Sequence, residues 1–152
     1  MWNSLFGIAN IWAMIFWAIL VLLPRKPLAL SAVFYAGVGL LCLAYALLLG
    51  LLLGGVVDPG ATGEGAASGF TSIEGVRGIF MSDGGVTVGW IHYLAFDMFV
   101  GLWIARDADQ KQFSRLVQAP VLLLTFMAGP AGLLVWMAIR EKRARKGARK
   151  GA

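Results

Sequence analysis

The stretch VTVGWIHYLAFDMFVGLWIA, residues 86–105, decides how this chain is organised. Its residues are apolar enough to cross a bilayer. As a helix they rise about 1.5 Å each, so the whole stretch is about as long as the hydrocarbon core is thick, about 30 Å. Asp97 lies near the middle, and His92 precedes it by five residues. A carboxylate at that depth costs on the order of 2.5–3.5 kcal/mol, so we expect Asp97 to face protein or water and to have a partner.

The composition of the whole chain places it in the same class. Hydrophobic residues make up 59% of the 152 residues and charged residues only 14%, whereas soluble domains are about a quarter charged. The sequence predicts an all-α integral membrane protein with a single domain, residues 1–139, and a basic, disordered C-terminal tail, residues 140–152. Cys42 is the one cysteine, which excludes an intrachain disulfide and a thiolate zinc site.

Four apolar segments predict a bundle of four transmembrane helices. They cover residues 4–23, 28–54, 86–105 and 116–139. The first two are separated by a Pro-Arg-Lys-Pro turn, because each proline disfavours helix in the residue before it. In the fourth segment, Pro130 lacks a backbone donor and clashes with the preceding turn, so we expect a kink near the centre of that helix. Such a kink either exposes a carbonyl to a polar cavity or adjusts the packing.

The long connection between the second and third segments has two parts. Residues 58–69 are small and polar, and their composition is typical of a flexible linker. Residues 72–82 predict a short amphipathic helix that lies at the membrane interface or covers the mouth of the bundle as a lid. Thr71 and Glu74 have the spacing of a capping box, and Glu74 and Arg77 are placed to pair on the polar side.

The location and orientation follow from the charges. No Lys or Arg precedes the first apolar segment, which does not fit a secretory signal or an organellar transit peptide. The bacterial inner membrane is the simplest location, with a processed organellar protein as the alternative. Four spans place both ends of the chain on one side of the membrane. The ends and the long loop hold eight Lys and Arg residues and the two short turns hold five, so the positive-inside rule places the ends in the cytoplasm. Without the cations of the tail this preference reverses.

Three side chains of the 86–105 segment are candidates for proton chemistry. On a helix, Tyr93 precedes Asp97 by four residues and lies within hydrogen-bond reach. His92 is about 140° around the axis from Asp97, so a direct contact needs a distortion, a water or a shared ligand. Asp97 is either a buried general acid or base or a structural hydrogen bond between helices. His92 either takes part in the chemistry or reaches headgroups and water.

The end of that segment also has two interpretations. Arg106 and Asp107 form either a solvated turn with an interfacial arginine or a clamp for the polar end of a substrate. Trp90 and the other aromatic side chains fit a membrane belt or core, and they also fit a pocket for a long conjugated lipid.

The sequence excludes several kinds of site. One histidine cannot supply bis-imidazole haem ligation or a histidine-rich di-iron site. There is no Walker loop, no Rossmann glycine pattern and no serine nucleophile elbow. The basic tail has no interleaved aromatic residues, so it resembles a surface for anionic lipid and not for nucleic acid. We expect no metal, no nucleic-acid partner and, in a catalytic chain, proton chemistry without a tightly held cofactor.

Three ordered segments carry a resemblance to one known family. They are FTSIEGVRGIF at residues 70–80, GWIHYLAFDMFVGLWIARDA at 89–108 and PVLLLTFMAGPAGLLVW at 120–136. Together they resemble the neoxanthin-synthase-like family, also called the ABA DEFICIENT FOUR family, over about residues 5–138. The W-I-H-x-x-A-x-D pattern at 90–97 is the most specific part. Plant members of the family are associated with the conversion of violaxanthin to neoxanthin in chloroplast membranes, and the basic tail and absent plastid leader depart from their pattern.

The resemblance implies a carotenoid or related isoprenoid ligand. Opening a carotenoid 5,6-epoxide to an allenic alcohol needs an acid for the oxygen and a base for a polyene C–H, and it needs no redox cofactor. Asp97 with His92 or Tyr93 would supply these catalytic groups. The family positions implied for ligand contact are Glu74, Arg77, Trp90, Arg106, Asp107, Phe126 and Pro130, next to Gly129.

Two other functions stay open at this stage. The chain is alternatively a non-enzymatic subunit that binds pigment or lipid, either as a homo-oligomer or as part of a larger membrane complex. A small proton-coupled transporter is less favoured, because the predicted spans contain one carboxylate and no visible repeat.

Overall fold

The computed structural model describes residues 1–23, 26–58 and 71–148, with side chains as far as residue 141. Across these residues the chain is helical and has no strands, which confirms the all-α class. The elements are α1 Trp2–Leu22, α2 Pro27–Ser31, a π-helical segment Ala32–Gly39, α3 Leu40–Leu53, α4 Ile73–Ile79, α5 Asp83–Gln110, α6 Arg115–Met127 and α7 Gly129–Ala148. The linker predicted over residues 58–69 lies outside the described residues except for Asp58.

Within the described residues, three helical stretches are long and apolar enough to cross a membrane. They are Trp2–Leu22, Pro27–Leu53 and Asp83–Gln110, with 21, 27 and 28 residues. The second joins α2, the π-helical segment and α3 without interruption. The length and composition of these helices fit a membrane protein.

The fourth apolar segment is not a single kinked helix, so the expectation of a kink at Pro130 is wrong. α6 ends at Met127 and α7 begins at Gly129, and Ala128 between them has φ −155° and ψ 80°. Pro130 lies in the first turn of α7, where a missing backbone N–H interrupts no helical hydrogen bond. α6 has only 13 residues, too few to span a bilayer.

Contacts with α5 fix the direction of α7. Gly129 lies against Asp97, and further along both helices Trp136 and Arg140 donate hydrogen bonds to Asp107. α5 and α7 therefore run in the same direction. Because α6 follows α5 after a short turn at residues 111–114, α6 and α7 form a helical hairpin along the second half of α5.

The hairpin is closely packed near its tip. A Cβ added to Gly132 of α7 would overlap Thr125 of α6, whose hydroxyl donates a hydrogen bond to the Val121 carbonyl at 2.8 Å. Further from the tip, the rings of Phe113 and Trp136 meet edge to face at 5.0 Å. α7 then continues to Ala148, through most of the segment for which we expected a disordered tail.

By its internal contacts the chain divides into two compact units. The first contains Met1–Ala13 and Gly39–Ala95, and the second contains Met14–Val38 and the described residues from Phe96 onward. In the first unit, Leu52 of α3 and Val88 of α5 form a small apolar core. In the second unit, the indole of Trp17 covers Gly101 so closely that a Cβ there would overlap it.

The Gly101 contact gives a direct test of the packing. We expect Gly101→Ala to lower the free energy of unfolding by about 1–3 kcal/mol, because the added methyl has to displace the Trp17 ring. Gly50→Ala is the control, since nothing lies within 4 Å of a Cβ at that position. Thermal unfolding in one detergent measures both variants. A Gly101→Ala protein as stable as Gly50→Ala would contradict the described packing.

Candidate functional site

The first unit contains a cleft of about 180 Å³ that is apolar except for two side chains. α3, α4 and α5 all contribute to it. Its lining consists of Tyr45, Leu49, Leu52, Ile79, Phe80, Gly85, Val88, Gly89 and His92. An apolar cavity with a few converging polar groups is typical of a small-molecule site.

The two polar side chains of this His92 cleft lie next to each other. The imidazole of His92 and the phenol of Tyr45 have ring centroids 5.1 Å apart and planes inclined by 57°. An imidazole can accept or donate a proton, and a phenol can donate one to an oxygen. The pair therefore offers both halves of an acid–base step to a ligand in the cleft.

α4 closes one side of the His92 cleft. Its N-cap is Ser72, whose hydroxyl accepts a hydrogen bond from the Gly75 N–H at 3.0 Å, so the cap is one residue later than the expected capping box. At the other end of α4, the Phe80 ring rests on Gly89. A Cβ at Gly89 would approach Phe80 Cζ to 2.9 Å. The Phe80 ring can therefore pack here because residue 89 is a glycine and has no side chain.

Trp90 and Tyr93 belong to a separate aromatic row in the first unit. The Trp90 indole stacks on Phe6 with centroids 5.6 Å apart and on Tyr93 with centroids 5.2 Å apart. Its Nε1 donates a hydrogen bond to Asn10 Oδ1 at 3.0 Å. Neither Trp90 nor Tyr93 lines the His92 cleft.

Asp97 lies in the second unit, against the start of α7. It is only 7% exposed, and a Cβ added to Gly129 would overlap its carboxylate. Gly129 is the first residue of α7, where the helix dipole favours a negative charge. In the same turn Pro130 has no N–H, and the N–H groups of Ala131 and Gly132 donate to the Ala128 carbonyl. The Asp97 carboxylate therefore lies where the dipole of α7 stabilises its negative charge.

Asp107 is held by side chains from two helices. It accepts hydrogen bonds from Arg140 Nε at 2.9 Å, Arg140 Nη2 at 3.0 Å and Trp136 Nε1 at 3.0 Å, and Lys111 Nζ pairs with its Oδ1. The hydrogen bond from Arg140 to Asp107 raises the pKa of Arg140, so the guanidinium stays charged. This network joins α5 to α7. Its hydrogen bonds and ion pairs use the Asp107 carboxylate, for which the resemblance implied contact with a ligand.

The remaining predicted positions are not gathered at one site. Arg106 lies over the Phe34 ring, 5.9 Å from its centroid, and Phe126 meets Trp17 edge to face. Glu74 and Arg77 are exposed on α4, and Pro130 is exposed at the start of α7. The structure thus brings His92 together with Tyr45 and brings Asp97 together with Gly129.

Tyr45, Asn10 and Arg140 are polar contacts that the sequence analysis missed. Tyr45 lies in an apolar run without a neighbouring polar residue, so nothing in the sequence connected it with His92. Asn10 did carry a signal, since an amide inside a predicted span needs a partner. Arg140 was assigned to the tail, because the apolar pattern ends just before it.

A family model described as ABA DEFICIENT 4-like matches residues 4–136. The match includes α1 through α6 and the first part of α7, and therefore the His92 cleft, Asp97 and Asp107. No curated protein and no solved structure matches the chain.

Two substitutions at Asp97 test the hypothesis that its side chain caps α7. We expect Asp97→Ala to lower the free energy of unfolding by about 0.5–2 kcal/mol, while Asp97→Asn stays close to wild type because asparagine caps helices as well as aspartate does. Thermal unfolding in one detergent provides the comparison. If both variants lose the same stability, the capping role is wrong.

Asp107→Asn tests the network between α5 and α7. We expect a loss of about 1.5–3 kcal/mol in the free energy of unfolding, because hydrogen bonds from charged donors lose their charged acceptor. Glu141→Gln is the control, since Glu141 is an exposed carboxylate beside Arg140 in the chain. Equal unfolding temperatures for the two variants would show that the network contributes no stability.

Proposed function

The chain belongs to the ABA DEFICIENT 4-like family, and on this premise we propose that it binds a carotenoid or related isoprenoid and rearranges it by acid–base chemistry. The end group of the ligand occupies the His92 cleft, and the polyene chain extends into surrounding lipid. The observation that carries the proposal is the pair of His92 and Tyr45 in an otherwise apolar cleft.

The size of the cleft supports an end group and not a whole ligand. About 180 Å³ accommodates one substituted ring, whereas sites that enclose a complete drug-sized molecule measure about 300–1,000 Å³. An isoprenoid with a cyclic end group can place that ring between α3, α4 and α5 and leave its long chain outside. Leu49, Leu52 and Val88 then pack against the ring.

The chemistry that fits this pair is an isomerisation. A base removes a proton from the polyene carbon next to the epoxide, and the C–H electron pair forms the new double bond of an allene as the epoxide C–O bond breaks. The oxygen stays on the other ring carbon and takes a proton from an acid, so no atom or electron is gained or lost. His92 is the proposed base and Tyr45 the proposed acid.

Asp97 has a different part in this proposal. It was the sequence's strongest candidate for a catalytic group, but its carboxylate contacts the start of α7 and is not part of the His92 cleft. We assign it to positioning α7. Tyr93, which stacks on Trp90, is likewise assigned to packing.

A non-enzymatic role in pigment or lipid binding is the second candidate. It is favoured by the same assignment of Asp97, because the carboxylate that the resemblance implied as a catalytic group then lies outside the His92 cleft. In this function the cleft holds a ring by shape and by one or two hydrogen bonds, and the ligand leaves unchanged.

The experiment compares pigments in a host that accumulates a 5,6-epoxy carotenoid. The chain is expressed as wild type, His92→Phe and Tyr45→Phe, with Tyr35→Phe as the control because Tyr35 is exposed and lies outside the cleft. We expect wild type and Tyr35→Phe to form an allenic product. The loss of an acid or base should lower the product yield by about 10²–10⁴-fold.

Two other outcomes distinguish the alternatives. A pigment that co-purifies unchanged with wild type and is lost in His92→Phe supports binding without catalysis. An unchanged pigment profile with no pigment bound to the purified wild-type protein contradicts both functions. Allenic product at wild-type yield from His92→Phe contradicts the assignment of the base.

A further inference from the structure

Basic side chains from separate parts of the chain collect in the second unit. Arg115 donates a hydrogen bond from Nη2 to the Leu23 carbonyl at 3.2 Å, which joins the α5–α6 turn to the end of α1. Lys111 and Arg140 meet at Asp107. Arg106 is exposed one residue before Asp107, and Lys26 is exposed at the start of α2.

The start of α5 has a different charge. In the first unit it lies beside the start of α1, since a Cβ at Gly84 would approach Trp2 Cζ2 to 2.9 Å. Asp58 accepts a hydrogen bond from the Gly84 N–H at 2.6 Å. Among the described residues of the first unit, Arg77 is the one Lys or Arg. Along the sequence, α1 and α5 therefore each begin in the unit with one such cation and end in the unit with several.

Neither arm of the hairpin has an apolar stretch long enough to cross a bilayer. α6 has 13 residues and rises roughly 20 Å, against a hydrocarbon core of about 30 Å. The apolar part of α7, residues 129–139, rises roughly 16 Å before Arg140. α6 begins at Arg115, and the apolar part of α7 ends just before Arg140. The tip of the hairpin, at Gly129, contacts Asp97, which lies ten residues before Asp107 on α5.

We propose that the α6–α7 hairpin enters and leaves the membrane on one side, and that this side rests on anionic phospholipid headgroups of the cytoplasmic leaflet. A broken helix at mid-membrane depth is tolerated where protein satisfies its backbone, and Asp97 lies at that position. The contacting surface, called the cationic rim below, consists of Lys26, Arg106, Lys111, Arg115 and Arg140. Cations near an anionic leaflet are attracted by its negative surface potential.

The cytoplasmic assignment follows from the same charges. Every Lys and Arg in the described chain except Arg77 belongs to the second unit. The positive-inside rule counts Lys and Arg near the ends of spans, so it places the cationic rim in the cytoplasm. Three spans and a hairpin place Asn3 and Glu141 on opposite sides, whereas four spans place them on the same side.

Cysteine labelling tests the path of the chain, independently of any ligand or activity. In a Cys42→Ser background, single cysteines replace Asn3, Met81, Ser114 and Glu141, all of which are exposed. A membrane-impermeant thiol reagent is applied to intact cells and to inverted vesicles. We expect Asn3→Cys and Met81→Cys to react in cells, and Ser114→Cys and Glu141→Cys to react only in inverted vesicles. Labelling of Ser114→Cys and Glu141→Cys from opposite sides overturns the hairpin, and labelling of both in cells overturns the orientation.

Lipid composition tests the partner of the cationic rim. The purified protein is reconstituted into vesicles of phosphatidylcholine alone or with phosphatidylglycerol, and its unfolding temperature is measured. We expect phosphatidylglycerol to raise this temperature, salt to reduce the increase, and inorganic phosphate added to phosphatidylcholine vesicles not to reproduce it. The double variant Lys26→Gln, Arg106→Gln should lose most of the increase, while Arg77→Gln should keep it. No increase in wild type, an equal increase with free phosphate, or an equal loss in Arg77→Gln overturns the proposal.

Discussion

The contact between Asp97 and the start of α7 is the constraint around which the second unit is built. A carboxylate surrounded by apolar helices is costly unless protein groups stabilise it, and the dipole at the N-terminus of a helix can do so. The chain provides such a helix start by breaking its last apolar segment at Ala128. The break in turn needs a neighbour at that depth, so the acid and the interrupted helix stabilise each other.

Asp97 and His92 are close in sequence but have separate surroundings. Both lie on α5, yet His92 joins Tyr45 in the first unit and Asp97 joins Gly129 in the second. One helix thus carries a candidate ligand group and a structural acid five residues apart. The proposed chemistry depends on His92, while the proposed membrane position depends on the helix that begins beside Asp97.

The class of the fold and its long helices could be predicted from sequence because they follow from hydrophobicity and length alone. The family was also predicted, from the motifs around His92 and Asp97, and the match over residues 4–136 confirms it. The direction of α7 could not be predicted, since a hairpin and a kinked span have the same apolar pattern. Only the contacts of Gly129 and Arg140 distinguish them. The partner of His92 was hidden for a similar reason, because Tyr45 looks like an ordinary aromatic residue in an apolar run.

The short arms of the hairpin have a consequence for biogenesis. An isolated apolar segment of 13 residues is too short to be held across a bilayer, so α6 has little tendency to insert alone. Its stable position requires the second half of α5 as a surface to pack on, and the helix that follows begins beside Asp97 on that surface. Synthesis delivers α5 first, so the membrane would receive the spanning helices before the hairpin folds into place beside them.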